Sequence, residues 1–424
     1  MSAFDKIIGY EAEKKDFFRI ADAWSHSEKY RALGVNIPRA ILLYGKPGLG
    51  KTLFADALIA ECGLPCFPCR KDCSDGKFVD MIASVFAAAS EQEPSIVFLD
   101  DIDKFAEDNS GGDSNKEEFA VIQTCMETVR NKDVFVIATA NDVYKLPDSL
   151  LRAGRFGRQI HFSAPTLADA VKIIQHYLSN KKIDSGISIE NLALILQNQS
   201  CAVLESVINE AGLLAGFEGK NKIGKSHLIR AFLTVRMHAR EEKPDLHIGT
   251  FAAYHEAGHA IAALACGRRV GFISVFCSEE NGGVCVTEQK SHFCTLKDIL
   301  DEAMIALSGK AAIETKFGQA DVGCHADLED AIDHMRPALT KCCAAGFSYG
   351  YDWERWDRIQ SSERVGDISV KLYGLLEECY RKAMAVLAVN RDLLDRIANA
   401  LLTADALLEE DMAEILAEVP LTKV

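Results

Sequence analysis

The stretch that most limits what this chain can fold into is Ala40–Thr52, AILLYGKPGLGKT. A short apolar run, Ala40–Tyr44, passes directly into Gly45-x-x-x-x-Gly50-Lys51-Thr52. An apolar strand, a glycine turn and a following helix form the setting that a phosphate-binding loop requires. Its glycines let backbone N–H groups curl around phosphate oxygens. ATP and Mg²⁺ are therefore expected cofactors. The expected nucleotide contacts are Gly45, Pro47, Gly48, Leu49, Gly50, Lys51, Thr52 and Leu53. Lys51 would reach the outer phosphates and Thr52 would place its hydroxyl on Mg²⁺. The helix is expected from Leu53 to about Glu61.

The rest of the first third alternates strands with helices, as a parallel α/β sheet does. Ile96–Leu99 reads as a buried strand and ends on Asp100 and Asp101. Asp100 is expected in the Mg²⁺ shell, and Asp101 beside the attacking water. Val134–Ala138 reads as another buried strand, ending near Asn141. Arg152, Arg155 and Arg158 follow at steps of three. They are either a solvated face or, in a ring-forming ATPase, groups that reach a neighbour's γ-phosphate.

A second motif lies in Phe251–Cys266, FAAYHEAGHAIAALAC. Ala, Leu and Ile dominate it and no Pro interrupts it, so it reads as a buried helix. His255 and His259 stand four apart and point the same way, a grip suited to Zn²⁺. Glu256 would take a proton from water at the metal. Ala257 and Gly258 leave room for another backbone. The elongated motif with a third His is excluded, because Ala262 and Ala265 stand where its Gly and His belong. A third ligand must come from farther on. Spacing alone leaves Asp321, His325, Asp327, Glu329 and Asp330 open.

At 424 residues the chain is too long for one core. A net charge of −15 argues against nucleic acid and against an anionic membrane surface as partners. No run approaches the roughly 18 apolar residues of a membrane span. Fourteen cysteines without a signal peptide are expected as reduced thiols in the cytoplasm. Cys62, Cys66, Cys69 and Cys73 match no common zinc module and read as buried thiols on a strand and its flanks.

The order of these motifs resembles the FtsH-type AAA+ zinc metalloproteases, from about Phe4–Gly9 almost to the end of the chain. The resemblance implies an α/β AAA+ ATPase core with a parallel sheet flanked by helices (1–165), a helical lid (166–244), and a mainly α-helical zinc peptidase domain (245–424). It implies Asn141 as a polar sensor, and Arg155 and Arg158 as trans-acting fingers supported by Arg152. It implies Asp327, in Asp327-Leu-Glu-Asp-Ala331, as the third metal ligand. The expected protein is an ATP-dependent zinc endopeptidase, a homo-oligomer expected as a hexamer, acting on unfolded polypeptides. The competing expectation is a nucleotide-driven chaperone ring with little proteolysis. Four features depart from the family. Asp101 stands where it carries Glu. The pore segment Arg70–Gly76 is short and has no aromatic. Members of the family are expected to carry membrane spans before the ATPase, and this sequence opens at the ATPase itself. The Asp-Gly-Phe signal between subunits is also missing around Glu127–Arg130.

Helices are expected at Leu167–Ser179, Ile189–Gln197 and Val203–Gly216, then at Leu296–Phe317, Leu328–Cys343, Ile368–Val389 and Arg391–Ala417. Arg269–Phe276 and Val284–Thr287 read as strands of a hairpin around Asn281-Gly-Gly283.

Overall fold

The computed structural model describes residues 2–71, 78–106, 115–237, 246–276, 282–289, 295–319, 321–346, 362–404 and 406–423. Most of the pore segment with Cys73, the linker 241–245 and Asn281 of the hairpin lie outside the described residues. The chain forms two compact units, Met1–Ile183 with Leu196–Asn209, and Asp184–Ile195 with Glu210–Val424.

The first unit is built on five parallel strands. They are β1 (Ala40–Tyr44), β2 (Cys66–Cys69), β3 (Ser95–Leu99), β4 (Val134–Ala140) and β5 (Arg158–His161), in the order β2-β3-β4-β1-β5. Helices cover a parallel sheet on both faces, so its inner strands read as unbroken apolar runs. β3 and β4 are buried at every position. Strand β5 was not expected from sequence. It is a half-exposed edge strand of Arg, Gln, Ile and His, with no apolar run to reveal it.

The strand order matters more than the strand count. β1, β4 and β3 are neighbours, with Tyr44 beside Ala140 and Leu99 beside Ala138. Their carboxyl ends therefore open side by side. The phosphate loop leaves β1, Asp100 leaves β3 and Asn141 leaves β4 at one edge, where open α/β sheets bind ligands. The helix Lys51–Cys62 begins two residues before the expected start.

The second unit is centred on the helix Leu246–Ala265, which carries both motif histidines. It packs against the helix Leu296–Phe317, which in turn meets Ser362–Val389 and His325–Thr340. A small antiparallel sheet stands beside them: β6 (Val270–Ser274) lies between β7 (Val284–Thr287) and β8 (Ala406–Leu408). Strand β7 and the helix Leu296–Phe317 match the expected spans. The final expected helix, Arg391–Ala417, is corrected. It breaks after Ala404, adds β8, and resumes at Glu409. Leu407 and Leu408 pair with Ile273 and Phe272. That tertiary pairing outweighs the helix preference of Ala and Leu. A helix over Lys225–Met237 adds to those expected. No helix among the described residues is long and apolar enough to cross a membrane.

Gly258 makes the close approach of the two central helices possible. A Cβ there would lie 2.4 Å from the Ser308 carbonyl oxygen and 2.7 Å from Ala312 Cβ. Backbone atoms cannot step aside as a flexible side chain can, so the helices would have to part. Gly258→Ala is expected to cost about 1–3 kcal/mol or more, read as a lowered thermal midpoint of the purified protein.

Candidate metal centre and nucleotide site

The metal centre grows from helix geometry. His255 and His259 lie one turn apart, with ring centroids 4.7 Å from each other. Both rings turn Nε2 toward the Asp327 carboxylate, at 3.0 Å from His255 and 3.5 Å from His259. One donor atom from each of the three residues fits within 4.8 Å, and they form the metal-capable cluster found among the described residues. Asp327 enters from the first turn of the helix His325–Thr340. Of the other open candidates, Asp321 meets the far nitrogen of His255 instead. His325 is exposed and paired with Glu329, and Asp330 is exposed.

Each imidazole is also held at its far side. His259 donates from Nδ1 to the Ile305 carbonyl at 2.7 Å. His255 donates from Nδ1 to Asp321 at 2.8 Å. With both Nδ1–H groups engaged, the two Nε2 atoms are the ones left for a metal.

The charge balance asks for a cation. Burial opposes a charge on His255, but Asp321 and Asp327 outweigh it and lift its pKa to about 10. Burial would raise the Asp327 pKa, yet the two imidazoles hold it well below the usual carboxylate range. Glu256 is 6% exposed, and burial pushes its pKa up. Gly283 leaves space for its carboxylate, since a Cβ there would fall 2.8 Å from Glu256 Oε1. Neutral imidazoles, a carboxylate and a buried acid suit Zn²⁺. A cleft of about 530 Å³ opens onto this group, and its apolar wall is Ile248, Phe251, Ala252 and Ile313.

Room for an ion comes from Gly309 on the facing helix. A Cβ at this position would lie 2.4 Å from His255 Nε2 and 2.6 Å from His259 Nε2. Sequence reasoning missed Gly309 and Asp321 in these roles. Neither carries a spacing signal, because both meet the histidines only through tertiary packing.

In the first unit the phosphate loop is preformed. Gly48 and Gly50 have φ of +77° and +89°, backbone that side chains resist. At Gly45 a Cβ would fall 2.2 Å from the Phe162 carbonyl oxygen. The Lys51 ammonium is buried and donates to Gly45 O, Lys46 O and Asn141 Oδ1 at 2.7–2.9 Å. Burial lowers its pKa. Pro47 and Leu53 are exposed along the loop, and Leu49 is buried beneath it. Asp100 accepts from Thr52 at 3.2 Å, from Thr139 at 2.7 Å and from Arg70.

Asp101 sits in the left-handed region at φ 52°, with its N–H on Thr139 Oγ1. Its carboxylate accepts from Asn141 Nδ2 at 3.1 Å and pairs with Lys104 at 2.7 Å. Asp103, which the motifs did not single out, fixes the backbone N–H groups of Asn141 and Asp142. Arg155 folds back onto Ser149 O and Glu127. It lines a cleft of about 740 Å³ together with Arg31, Arg39, Arg130 and Arg158. Cys62 and Cys69 are buried and Cys66 half-buried, and burial raises the Cys62 and Cys66 thiols to about 12 and about 11. Thiols held neutral are poor metal ligands.

Comparison with known proteins finds a family for each of two stretches of the chain. Residues 41–164 match the family of ATPases associated with various cellular activities, AAA, and residues 247–415 match peptidase family M41. The ATP-dependent zinc metalloprotease FtsH of Aster yellows witches'-broom phytoplasma is 30% identical over 98% of this chain and 64% of its own length. The FtsH protein of Rhodococcus erythropolis is 31% identical over 99% of the chain and 52% of its own length. For that of Bacillus subtilis the figures are 28%, 97% and 69%. The chain thus spans about half to two thirds of the length of these relatives.

Gly309→Ala is expected to abolish stoichiometric zinc binding while the far-ultraviolet circular dichroism keeps its helical signal. Metal analysis of the dialysed protein checks this.

Proposed function

As the chain belongs to the FtsH-type AAA+ zinc metalloproteases, we propose that it is an ATP-dependent zinc endopeptidase that degrades unfolded or misfolded polypeptides within a homo-oligomeric ring. The observation that carries this reading is the convergence of His255, His259 and Asp327 beside the buried Glu256, at the wall of a cleft. In this reading those three residues hold the metal. Bound there, Zn²⁺ supplies Lewis acidity for the scissile carbonyl and for the attacking water. Glu256 accepts the proton of that water and passes it to the leaving amine. Its burial and its raised pKa suit a group that must both take and return a proton. The apolar wall of the cleft suits an apolar side chain near the cut bond. Strand β7 is an edge of its sheet, so an extended substrate can add to it as a further strand.

The loop Gly45–Leu53 would hold ATP, with Lys51 toward its outer phosphates. Thr52 and Asp100, hydrogen-bonded to each other, would hold Mg²⁺. Asp101 and Asn141, already hydrogen-bonded to each other, orient the attacking water. Arg155 and Arg158 act on the nucleotide of a neighbouring subunit in a hexamer, and Arg155 must first leave Ser149 and Glu127 to do so. We assign the domains as 1–165, 166–244 and 245–424, and the compartment as cytoplasmic. Eleven free cysteines among the described residues support a reducing environment.

One observation favours a slow motor. Asp101 is a short acid bound to Lys104, and a misplaced base slows a reaction steeply. One polypeptide should therefore be compared in a stably folded and a permanently unfolded form, with ATP, with a non-hydrolysable analogue, and with neither. The unfolded form is expected to be cut and the folded form to be cut far more slowly, even with ATP. Glu256→Gln should abolish cleavage of both and leave ATP hydrolysis intact. Cleavage that survives this substitution would remove the zinc mechanism.

A further inference from the structure

We infer that Asp321 is the positioning residue of the metal centre, orienting His255 through Nδ1 so that its Nε2 faces the ion. This rests on the reading of His255, His259 and Asp327 as a zinc site. The two histidines are not held alike. His259 donates to a backbone carbonyl, that of Ile305, at 2.7 Å. Any sequence that forms the facing helix supplies such a carbonyl. His255 donates to a side-chain carboxylate at 2.8 Å, which only this residue provides.

The Asp321 carboxylate is itself braced. Its second oxygen accepts the Gly323 N–H at 2.8 Å, and the side chain is 14% exposed. Asp321 and Asp327, six residues apart, grip opposite nitrogens of the same ring at 2.8 and 3.0 Å. The ring has no freedom to rotate without losing both contacts. Asp321 is not a member of the donor cluster, so it acts through His255 and not on the metal itself. A carboxylate on the far nitrogen fixes the tautomer and makes the imidazole a stronger donor, and such partners are typically worth about 10- to 100-fold in metal affinity. The consequence is an unequal pair, with His255 the stronger ligand.

Zinc affinity of the full chain, measured by competition with a chromophoric chelator, tests this. The variants are Asp321→Asn, Asp321→Ala and Asp321→Glu. Asn keeps the shape and one acceptor oxygen but loses the charge. It is expected to weaken zinc binding about 10- to 100-fold while the metal-free protein melts at the wild-type temperature. Ala should weaken it at least as much, and Glu should restore part of the loss. The Co²⁺-loaded Asn variant should also show a shifted visible spectrum, which a loss of packing alone would not produce. Wild-type affinity and an unchanged Co²⁺ spectrum in both Asn and Ala would overturn the inference and leave the metal reading standing. A wild-type protein that binds no zinc would overturn both. If Ala fails to fold, Asn and Glu decide.

Discussion

The second unit depends on how closely two helices approach each other. Gly258 faces the Ser308 carbonyl, and the next residue, Gly309, faces both imidazoles. One turn earlier, Ile305 gives its carbonyl to His259. A single stretch of the helix Leu296–Phe317 therefore sets the spacing, orients one ligand and leaves the seat for the ion. The apolar content of both helices supplies adhesion but no precision. Two missing side chains supply the precision: a Cβ at Gly258 would meet a backbone carbonyl, and one at Gly309 would take the space between the two imidazoles.

The first unit works by topology. Parallel strands in the order β3-β4-β1 carry three chain segments to one edge. Asp100, Asn141 and the phosphate loop are separated by roughly forty to ninety residues, and each simply follows the carboxyl end of its strand. Hydrogen bonds then link them: Lys51 to Asn141, Thr52 to Asp100, Asn141 to Asp101. Asp100 is satisfied on both oxygens by Thr139, Thr52 and Arg70. In the proposed site Mg²⁺ would have to compete with the Arg70 guanidinium for that carboxylate, so nucleotide binding would exchange one positive charge for another.

Much of this was legible in the sequence, for physical reasons that differ by element. The phosphate loop and the His-Glu-x-x-His helix are local patterns, whose chemistry depends on residues within one turn or one loop. The inner strands were legible because burial on both faces demands apolar residues throughout. Strand β8 was not, since Ala406–Leu408 reads as helix until it meets β6. Strand β5 was hidden because an edge needs no apolar run. Spacing left the third ligand open among five residues; the family resemblance implied Asp327, and the fold brings that residue beside the two histidines. Gly309 was beyond reach, and Asp321 stood only among the candidates for the third ligand, because what each does depends on what faces it.

The charge at the metal centre has one further implication. Asp321, Asp327 and Glu256 bring three carboxyl groups to two imidazoles in a largely buried place. Such a cluster cannot stay without positive charge, as burial penalises each unpaired anion. Without metal, that charge is carried by protons, which is why the His255 pKa rises to about 10 despite its burial. A histidine must be neutral to bind a metal. Zinc at neutral pH therefore has to displace a proton from His255, and its apparent affinity should fall as the pH is lowered. The same carboxylates that make that proton hard to remove make the site attractive to a divalent ion. Asp321 stands on both sides of this balance: it raises the proton affinity of His255 and, by holding Nδ1, leaves Nε2 as the nitrogen that must exchange a proton for the metal.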